Sequence, residues 1–319
     1  MEIFTILLII FGLSLFEVIT SIDNAVINAE VLSGMSKKAQ RWFLLWGFLF
    51  AVFIVRGFLP FVIIFLANPQ LGPIGVLGAA FNNDPHVAEA IEQSAPFLLL
   101  GGGVFLTFLF FHWLFLEPKN FGLRGERFFQ AQGAWFFAVV SILLTIIVWL
   151  ALNTHPMLAF SAVVGSTAFF IIHGFRQFAE EQEKKLISGN MSDISKIAYL
   201  EVLDSTFSID GVIGAFAFTF SVPFILIGNG LGALVLRKLT VSNIERIKRY
   251  KYLKNGAMYS ILFLGIIMIL DSFGAHIPHW LSPVITFGTV GYFFHKSRLD
   301  MEKIQEALEP LPTTKNKKN

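Results

Sequence analysis

Residues 17–24, EVITSIDN, and residues 204–211, DSTFSIDG, are two acidic segments that lie inside long apolar runs. In each segment an acid lies six residues before the aspartate of a Ser-Ile-Asp triplet. A charged side chain at the centre of a bilayer costs about 2.5–3.5 kcal/mol on insertion scales, so acids at such positions are rare. Their recurrence at the same spacing predicts an internal repeat built around acidic side chains.

The composition of the 319-residue chain predicts a multi-pass membrane protein. Hydrophobic residues make up 55% and charged residues only 14%, against about 25% charged residues in soluble domains. The absence of cysteine excludes disulfides and thiolate metal sites. The apolar runs approach the roughly 20 residues that span a bilayer as a helix. We predict an all-α polytopic transmembrane helical bundle with about nine spans, at 3–31, 42–67, 95–117, 132–152, 157–175, 197–220, 222–237, 255–271 and 281–295.

The basic residues predict how the chain is oriented. If the N-terminus is outside, every lysine and arginine except Arg56 falls in an inner loop or in the C-terminal tail. This distribution follows the positive-inside rule and predicts an outer N-terminus and a cytoplasmic C-terminus. We interpret the first apolar run as a retained span, because it lacks a basic start and contains Glu17, both unlike a signal peptide.

Each acidic segment lies near the start of a predicted repeat. Aligning the Ser-Ile-Asp triplets places Glu17 on Asp204, and in each following span a glycine lies nine residues before an arginine, Arg56 or Arg237. An odd number of spans separates the copies, which predicts inverted topology, as in many secondary transporters. We expect one transmembrane domain (1–296), with repeat one at about 3–117, connecting helices at about 130–176 and repeat two at about 197–295, and a polar tail at 297–319.

The residue types in these segments point to a cation site. The candidate metal ligands are Glu17, Asp23, Asn24, Asp204 and Asp210, and the supporting residues are Ser21, Ser208, Arg56 and Arg237. Oxygen ligands of this kind favour hard divalent cations such as Mn²⁺, Ca²⁺ or Mg²⁺. The arginines are expected to balance the acids while no cation is bound, with protons as a candidate counter-ion.

The spacing leaves two geometries open for the first segment. Glu17 and Asp23 are about 240° apart around a straight helix, so they cannot point at one ion. Either they serve different sides of a cavity, or the helix unwinds near Ser21–Asn24, as in transporters that bind ions with freed carbonyls. Gly211 would permit the corresponding break in the second copy.

Simpler structural roles compete with each functional one. Asp23 and Asp210 would serve as helix caps or turns at the membrane surface, and Glu17 and Asp204 would form structural ion pairs with arginine. For Glu30 and Glu201 a position at the membrane interface is preferred. The glycines at 101–103 and the series Gly228, Gly230 and Gly232 predict close helix contacts. The seven histidines have no helical i, i+4 pair and are not proposed as ligands.

The segments FEVITSIDNAVINAEVL and VLDSTFSIDGVIGAFAFT, each followed by a span with an arginine, resemble the TerC (tellurium-resistance) integral membrane family. The similarity covers roughly 3–295 and is strongest to the branch described as a domain of unknown function, in the LysE-like transporter superfamily. It implies two three-helix repeats, Mn²⁺ efflux and a link to tellurite or pH stress. Gly211 stands where an asparagine is expected, and extra helices separate the repeats.

These observations leave four functions to compare, and the leading one is not an enzyme. The first is a divalent cation transporter of the bacterial inner membrane, with the lipid bilayer and the transported ion as partners and no tightly bound cofactor. The second is a non-transporting scaffold in the tellurite, metal or pH stress response. An intramembrane aspartyl protease would need a Gly-x-Gly-Asp motif, which neither aspartate has. An amino-acid exporter would not need so many acids.

Overall fold

The computed structural model describes residues 2–47, 49–81, 85–119, 122–188, 192–242 and 249–308. Over these ranges the chain is all-helical, as predicted, and contains no strand. The helices are α1 (Ile3–Thr20), α2 (Ile22–Ser33), α3 (Lys37–Trp42), α4 (Arg56–Ala67), α5 (Gly72–Phe81), α6 (Pro85–Leu116), α7 (Arg124–Gln130), α8 (Trp135–Thr154), α9 (Pro156–Ser188), α10 (Asp193–Ala215), α11 (Val222–Ser242), α12 (Leu253–Ser272) and α13 (Leu281–Leu308).

Within the described ranges, seven helical stretches are long and apolar enough to cross a membrane. They are Ile3–Thr20, Lys37–Leu66, Glu89–Leu116, Trp135–Thr154, Pro156–Gln177, Val222–Leu239 and Leu253–Ser272. The two further predicted spans, 197–220 and 281–295, coincide with α10 and α13, which have the length of a span but a more polar sequence. The fold is therefore an all-α polytopic bundle, and α10 is the helix that carries the second acidic segment.

The first predicted span is broken at a single residue. Ser21 leaves the helical conformation, with φ −99° and ψ 5°, between α1 and α2. Its N–H still donates to the Glu17 carbonyl at 3.1 Å, so the chain bends there and does not unwind as far as Asn24. In the second copy α10 runs through Gly211 without interruption, so the break that Gly211 would permit is not present. The next helix, α11, begins at Val222, with Pro223 in its first turn, where the missing N–H is tolerated.

The second predicted span is an irregular helix. Phe43–Gly47 and Phe50–Val55 are π-helical and lead into α4, which begins at Arg56. Pro60 lies four residues after Arg56, lacks an N–H and crowds the carbonyl of that arginine. The wider turns before Arg56 accommodate this defect, and π-helical turns occur frequently at functional sites.

Glycines allow the central helices to approach closely. A Cβ on Gly103 would lie 2.9 Å from the Gly265 carbonyl of α12, and one on Gly165 of α9 would overlap the backbone of Gly101. A Cβ on Gly228 of α11 would lie 2.5 Å from Leu13 Cβ in α1. These contacts confirm the prediction that the glycine series serve helix packing.

Contacts between the two halves are reciprocal. Helix α1 packs on α11, while α10 packs on α4 and on the π-helical segment before it, and α6 packs on α12. If α1 corresponds to α10, α4 to α11 and α6 to α12, the α1–α11 contact corresponds to the α10–α4 contact, and the α6–α12 contact corresponds to itself. A two-fold relation between the halves requires this pattern, and the inverted sense of the repeats stays a prediction.

Candidate functional site

A buried ion-pair cluster joins the two acidic segments. Arg56 Nη2 lies 2.7 Å from Glu17 Oε1 and 3.8 Å from Asp204 Oδ1. Asn24 Nδ2 donates a hydrogen bond to the same Asp204 oxygen, and Ser21 Oγ donates to Glu17 Oε1 at 2.9 Å. Arg56 is only 3% exposed and Glu17 only 1%. The prediction that Arg56 pairs with an intramembrane acid is confirmed, and both segments contribute to the cluster.

Two glycines leave the space that the Glu17 side chain occupies. A Cβ on Gly232 of α11 would lie 2.7 Å from Glu17 Cβ, and one on Gly211 of α10 would lie 3.0 Å from Glu17 Oε2. Gly211 is thus small for a local reason, because a larger residue there would press on the carboxylate. This contact explains why the second segment departs from the asparagine of the first.

Two predicted supporting residues have different surroundings. Ser208 Oγ donates to the carbonyl of Asp204 at 2.6 Å, one turn back on α10, so it serves its own helix. Arg237 of α11 lines a cavity together with Arg56 and Asp204. Both predicted arginines therefore lie close to the cluster, and Arg56 pairs there with Glu17 and Asp204.

Asp210 has a partner that the sequence did not suggest. Arg176 Nη2, on α9, lies 2.5 Å from Asp210 Oδ2. Asp210 is 8% exposed, so this is a buried pair. Arg176 was assigned to an inner loop, but α9 continues as far as Ser188 and carries it against α10. The pair neutralises the acid inside the bundle.

Asp23 lies at the end of the bundle. Its carboxylate is 2.9 Å from Lys254 Nζ, which also lies 2.6 Å from Glu117 Oε2. Lys254 begins α12 and Glu117 directly follows α6, so the pair lies at the level where spans end. Burial by itself would raise the pKa of Glu117, but Lys254 outweighs burial and holds that pKa below its ordinary 4.5. The side chain of Asp23, a predicted metal ligand, is 53% exposed and pairs with Lys254, whereas Glu17 pairs with Arg56.

The five candidate ligands thus occupy three separate places. Glu17, Asn24 and Asp204 meet at Arg56, whereas Asp210 and Asp23 have their own cationic partners. Over the described part of the chain, no group of three or more His, Asp or Glu side chains has an arrangement that could hold a metal ion. A cation that bound the cluster would therefore compete with Arg56 for its ligands.

A cavity of about 70 Å³ adjoins the cluster. Its polar lining comes from Asn24, Asn28, Arg56, Glu201, Asp204 and Arg237. Both carboxylate oxygens of Glu201 are buried there and accept no hydrogen bond from any described residue. Glu201 was predicted to lie at the membrane interface, but the structure places it beside the ion-pair cluster.

A histidine pair was also missed by sequence reasoning. The rings of His112 in α6 and His173 in α9 have centroids 3.7 Å apart, and Phe169 stacks on His173 at 5.6 Å. The two histidines lie on different helices, so no short spacing in the sequence predicts that they meet. The available signal was that both histidines lie close to the inner ends of neighbouring predicted spans.

The fold and the buried ion pairs define a multi-pass membrane protein with a charged interior. A family model described as "Protein of unknown function (DUF475)" matches residues 22–303, so the chain belongs to that family. The match includes the whole second acidic segment and residues 22–24 of the first, whereas Glu17 and Ser21 lie before its start. No curated protein and no solved structure matches the chain.

Proposed function

We propose that the protein transports hard divalent cations across the bacterial inner membrane, with Mn²⁺ efflux as the leading activity and Ca²⁺ or Mg²⁺ as alternatives. The observation that carries this proposal is the convergence of Glu17 and Asp204 on one buried arginine, with Asn24 hydrogen-bonded to Asp204. Buried charges of this kind are expensive and mark ion pathways in membrane proteins. The resemblance of both segments to the TerC family supports the same function.

Arg56 gives the proposal a mechanism. In this conformation its guanidinium neutralises Glu17 and lies close to the Asp204 carboxylate, which is where a substrate cation would bind. An entering cation displaces the guanidinium, and the released arginine then repels the cation when the bundle opens to the other side. The reciprocal contacts of the two halves suit alternating access by rocking of one half against the other. The positive-inside pattern supports an outer N-terminus and a cytoplasmic C-terminus.

The test is metal flux in liposomes that contain the purified protein and a Mn²⁺-sensitive dye. Parent protein should carry Mn²⁺, and Glu17→Gln and Asp204→Asn should each remove most of the flux. Glu30→Gln is the matched control, because this substitution removes one carboxylate from an exposed position on α2, outside the cluster. Folded, inserted parent protein that carries no Mn²⁺, Ca²⁺ or Mg²⁺ would refute transport.

A scaffold is the second candidate. The observation that favours it is that Glu17, Asp23, Asp204 and Asp210 all lie within ion-pair distance of a basic side chain of the protein. These pairs would then serve stability, as structural ion pairs do. A scaffold tolerates Asp204→Asn in its stress phenotype as long as the protein stays folded, whereas a transporter does not.

A further inference from the structure

Four buried oxygen atoms face the cavity beside the ion-pair cluster or lie at its wall. They are Asn24 Oδ1, Asn28 Oδ1 and both carboxylate oxygens of Glu201, and none accepts a hydrogen bond from a described residue. Asn24 is 2% exposed. More than about 90% of buried polar groups have a partner, and an unsatisfied one costs about 1–3 kcal/mol. Four acceptors in one cavity therefore indicate a positively charged ligand.

The orientation of Asn24 is fixed by its neighbour. Its Nδ2 donates to Asp204 Oδ1, and a carboxylate can only accept, so the amide oxygen has to point away from Asp204. Asn28 lies one turn further along α2, on the same face as Asn24. Asn24 and Asn28 therefore both line the cavity from the same face of α2.

Another part of the cavity lining carries the carboxylate of Glu201. Glu201 precedes Asp204 by three residues on α10, so both acids lie on one face of that helix. A Cβ on Gly47 would overlap Glu201 Oε1, so only glycine leaves space for the Glu201 side chain. Gly47 ends the first π-helical turn, which links the irregular backbone of this span to the position of Glu201.

The charges around the cavity favour a cation. The cavity is lined by the carboxylates of Asp204 and Glu201 and by the guanidinium groups of Arg56 and Arg237. Glu17, which pairs with Arg56, adds a third carboxylate, so the cavity and the adjoining cluster together hold three carboxylates and two guanidinium groups. A volume of about 70 Å³ holds an ion with one or two waters, at roughly 30 Å³ per water.

We propose that Glu201, Asn28 and the amide oxygen of Asn24 form a binding position for a hard divalent cation at the entrance to the ion-pair cluster. Carboxylate and amide oxygens are the ligands that Mn²⁺, Ca²⁺ and Mg²⁺ prefer. The position deepens the proposed transport function and rests on it. A cation held by Glu201 lies next to Asp204 and competes with Arg56 for that carboxylate.

Glu201 also lines a second, open cavity, so this residue is shared by both cavities. The wall of the second cavity is mostly apolar, with Trp42, Trp46 and Phe50, and its other charged residues are Lys38 and Asp193. Asp204 lines only the first cavity, so a cation that arrives from the second cavity meets Glu201 before Asp204.

The experiment measures equilibrium Mn²⁺ binding to the full-length protein in detergent, from the electron paramagnetic resonance signal of free Mn²⁺. Glu201→Gln should weaken binding at least tenfold, and Glu30→Gln should leave it within twofold. Gly47→Ala should mimic Glu201→Gln by displacing the carboxylate. Gly230→Ala is its control, because a Cβ there meets only Val52 Cγ1, at 3.6 Å.

A variant that is expected to bind Mn²⁺ more tightly distinguishes loss of the binding position from misfolding. Asn28→Asp adds a carboxylate to the cavity wall and should tighten Mn²⁺ binding, which a misfolded protein cannot do. Binding that Glu201→Gln leaves unchanged but Asp204→Asn abolishes would overturn this position and leave the transport proposal intact. Mn²⁺ binding through Glu201 without flux in liposomes would support the position and refute transport. Parent protein that binds no Mn²⁺ would overturn the position.

Discussion

The pair formed by Arg56 and Glu17 should be energetically coupled, and its strength can be measured. The two groups are 2.7 Å apart and 4% and 1% exposed, so neither can turn to water when its partner is lost. Arg56→Met would leave Glu17 and Asp204 as uncompensated buried acids. Breaking a buried ion pair in this way costs about 3–5 kcal/mol. We expect Arg56→Met to lower the free energy of unfolding by that amount.

The double variant separates the ion pair from simple damage to packing. Glu17→Gln in the Arg56→Met background removes the stranded charge, so the second substitution should restore about 1–3 kcal/mol of the loss. Unfolding can be followed by tryptophan fluorescence in detergent micelles titrated with sodium dodecyl sulfate. Each variant needs the same unfolding midpoint at two protein concentrations, which shows that oligomerisation does not contribute.

The exposed pair of Arg298 and Glu302 supplies the control. Its atoms are 3.6 Å apart, and its side chains are 58% and 55% exposed. Arg298→Met should therefore change the free energy of unfolding by less than about 0.5 kcal/mol. If the losses caused by Arg56→Met and Glu17→Gln simply add, the two groups are not coupled and the reasoning about the cluster is wrong.

Three further outcomes are expected. Gly232→Ala should destabilise the protein, because a Cβ there would lie 2.6 Å from the Ser14 carbonyl of α1, while Gly230→Ala should be tolerated; thermal unfolding of both variants checks this. The lowered pKa of Glu117 means that its stabilising contribution is complete above pH 4.5 and is lost as the pH falls through the lowered pKa, so Glu117→Gln should flatten that part of a stability profile. Arg176→Met should destabilise more than Asp210→Asn, since the first strands a buried acid and the second leaves a cation that can extend toward the surface; equal losses in the unfolding assay would contradict this.

Composition and periodicity were sufficient for the class of fold. Over the described residues each of the nine predicted spans is mostly helical, although the first is two helices and the second begins with π-helical turns. Only a helix satisfies the backbone of a long apolar segment within the bilayer. The pairing of Arg56 with an acid was predictable for a similar reason, since an isolated charge so deep would be too costly. The glycine contacts followed from the need of packed helices for small residues.

The sequence did not predict the basic partners of Asp210 and Asp23. Arg176 and Lys254 appeared as loop or span-end residues, and nothing local connects them to Asp210 or Asp23. Which side chains meet depends on how each helix is rotated about its axis. Here the break at Ser21 and the π-helical turns change that rotation in ways that no regular period describes.

The sequence by itself determined that the protein is a helical membrane protein with two related acidic segments and one deep arginine. Transfer free energies act on each residue separately, so a linear pattern is enough to reveal them. Only the tertiary structure decided that Glu17 and Asp204 share Arg56, that Asp23 lies at the end of the bundle, and that Glu201 faces a cavity with its oxygens unsatisfied. Those features arise from distances of a few ångströms between different helices, and packing alone sets such distances.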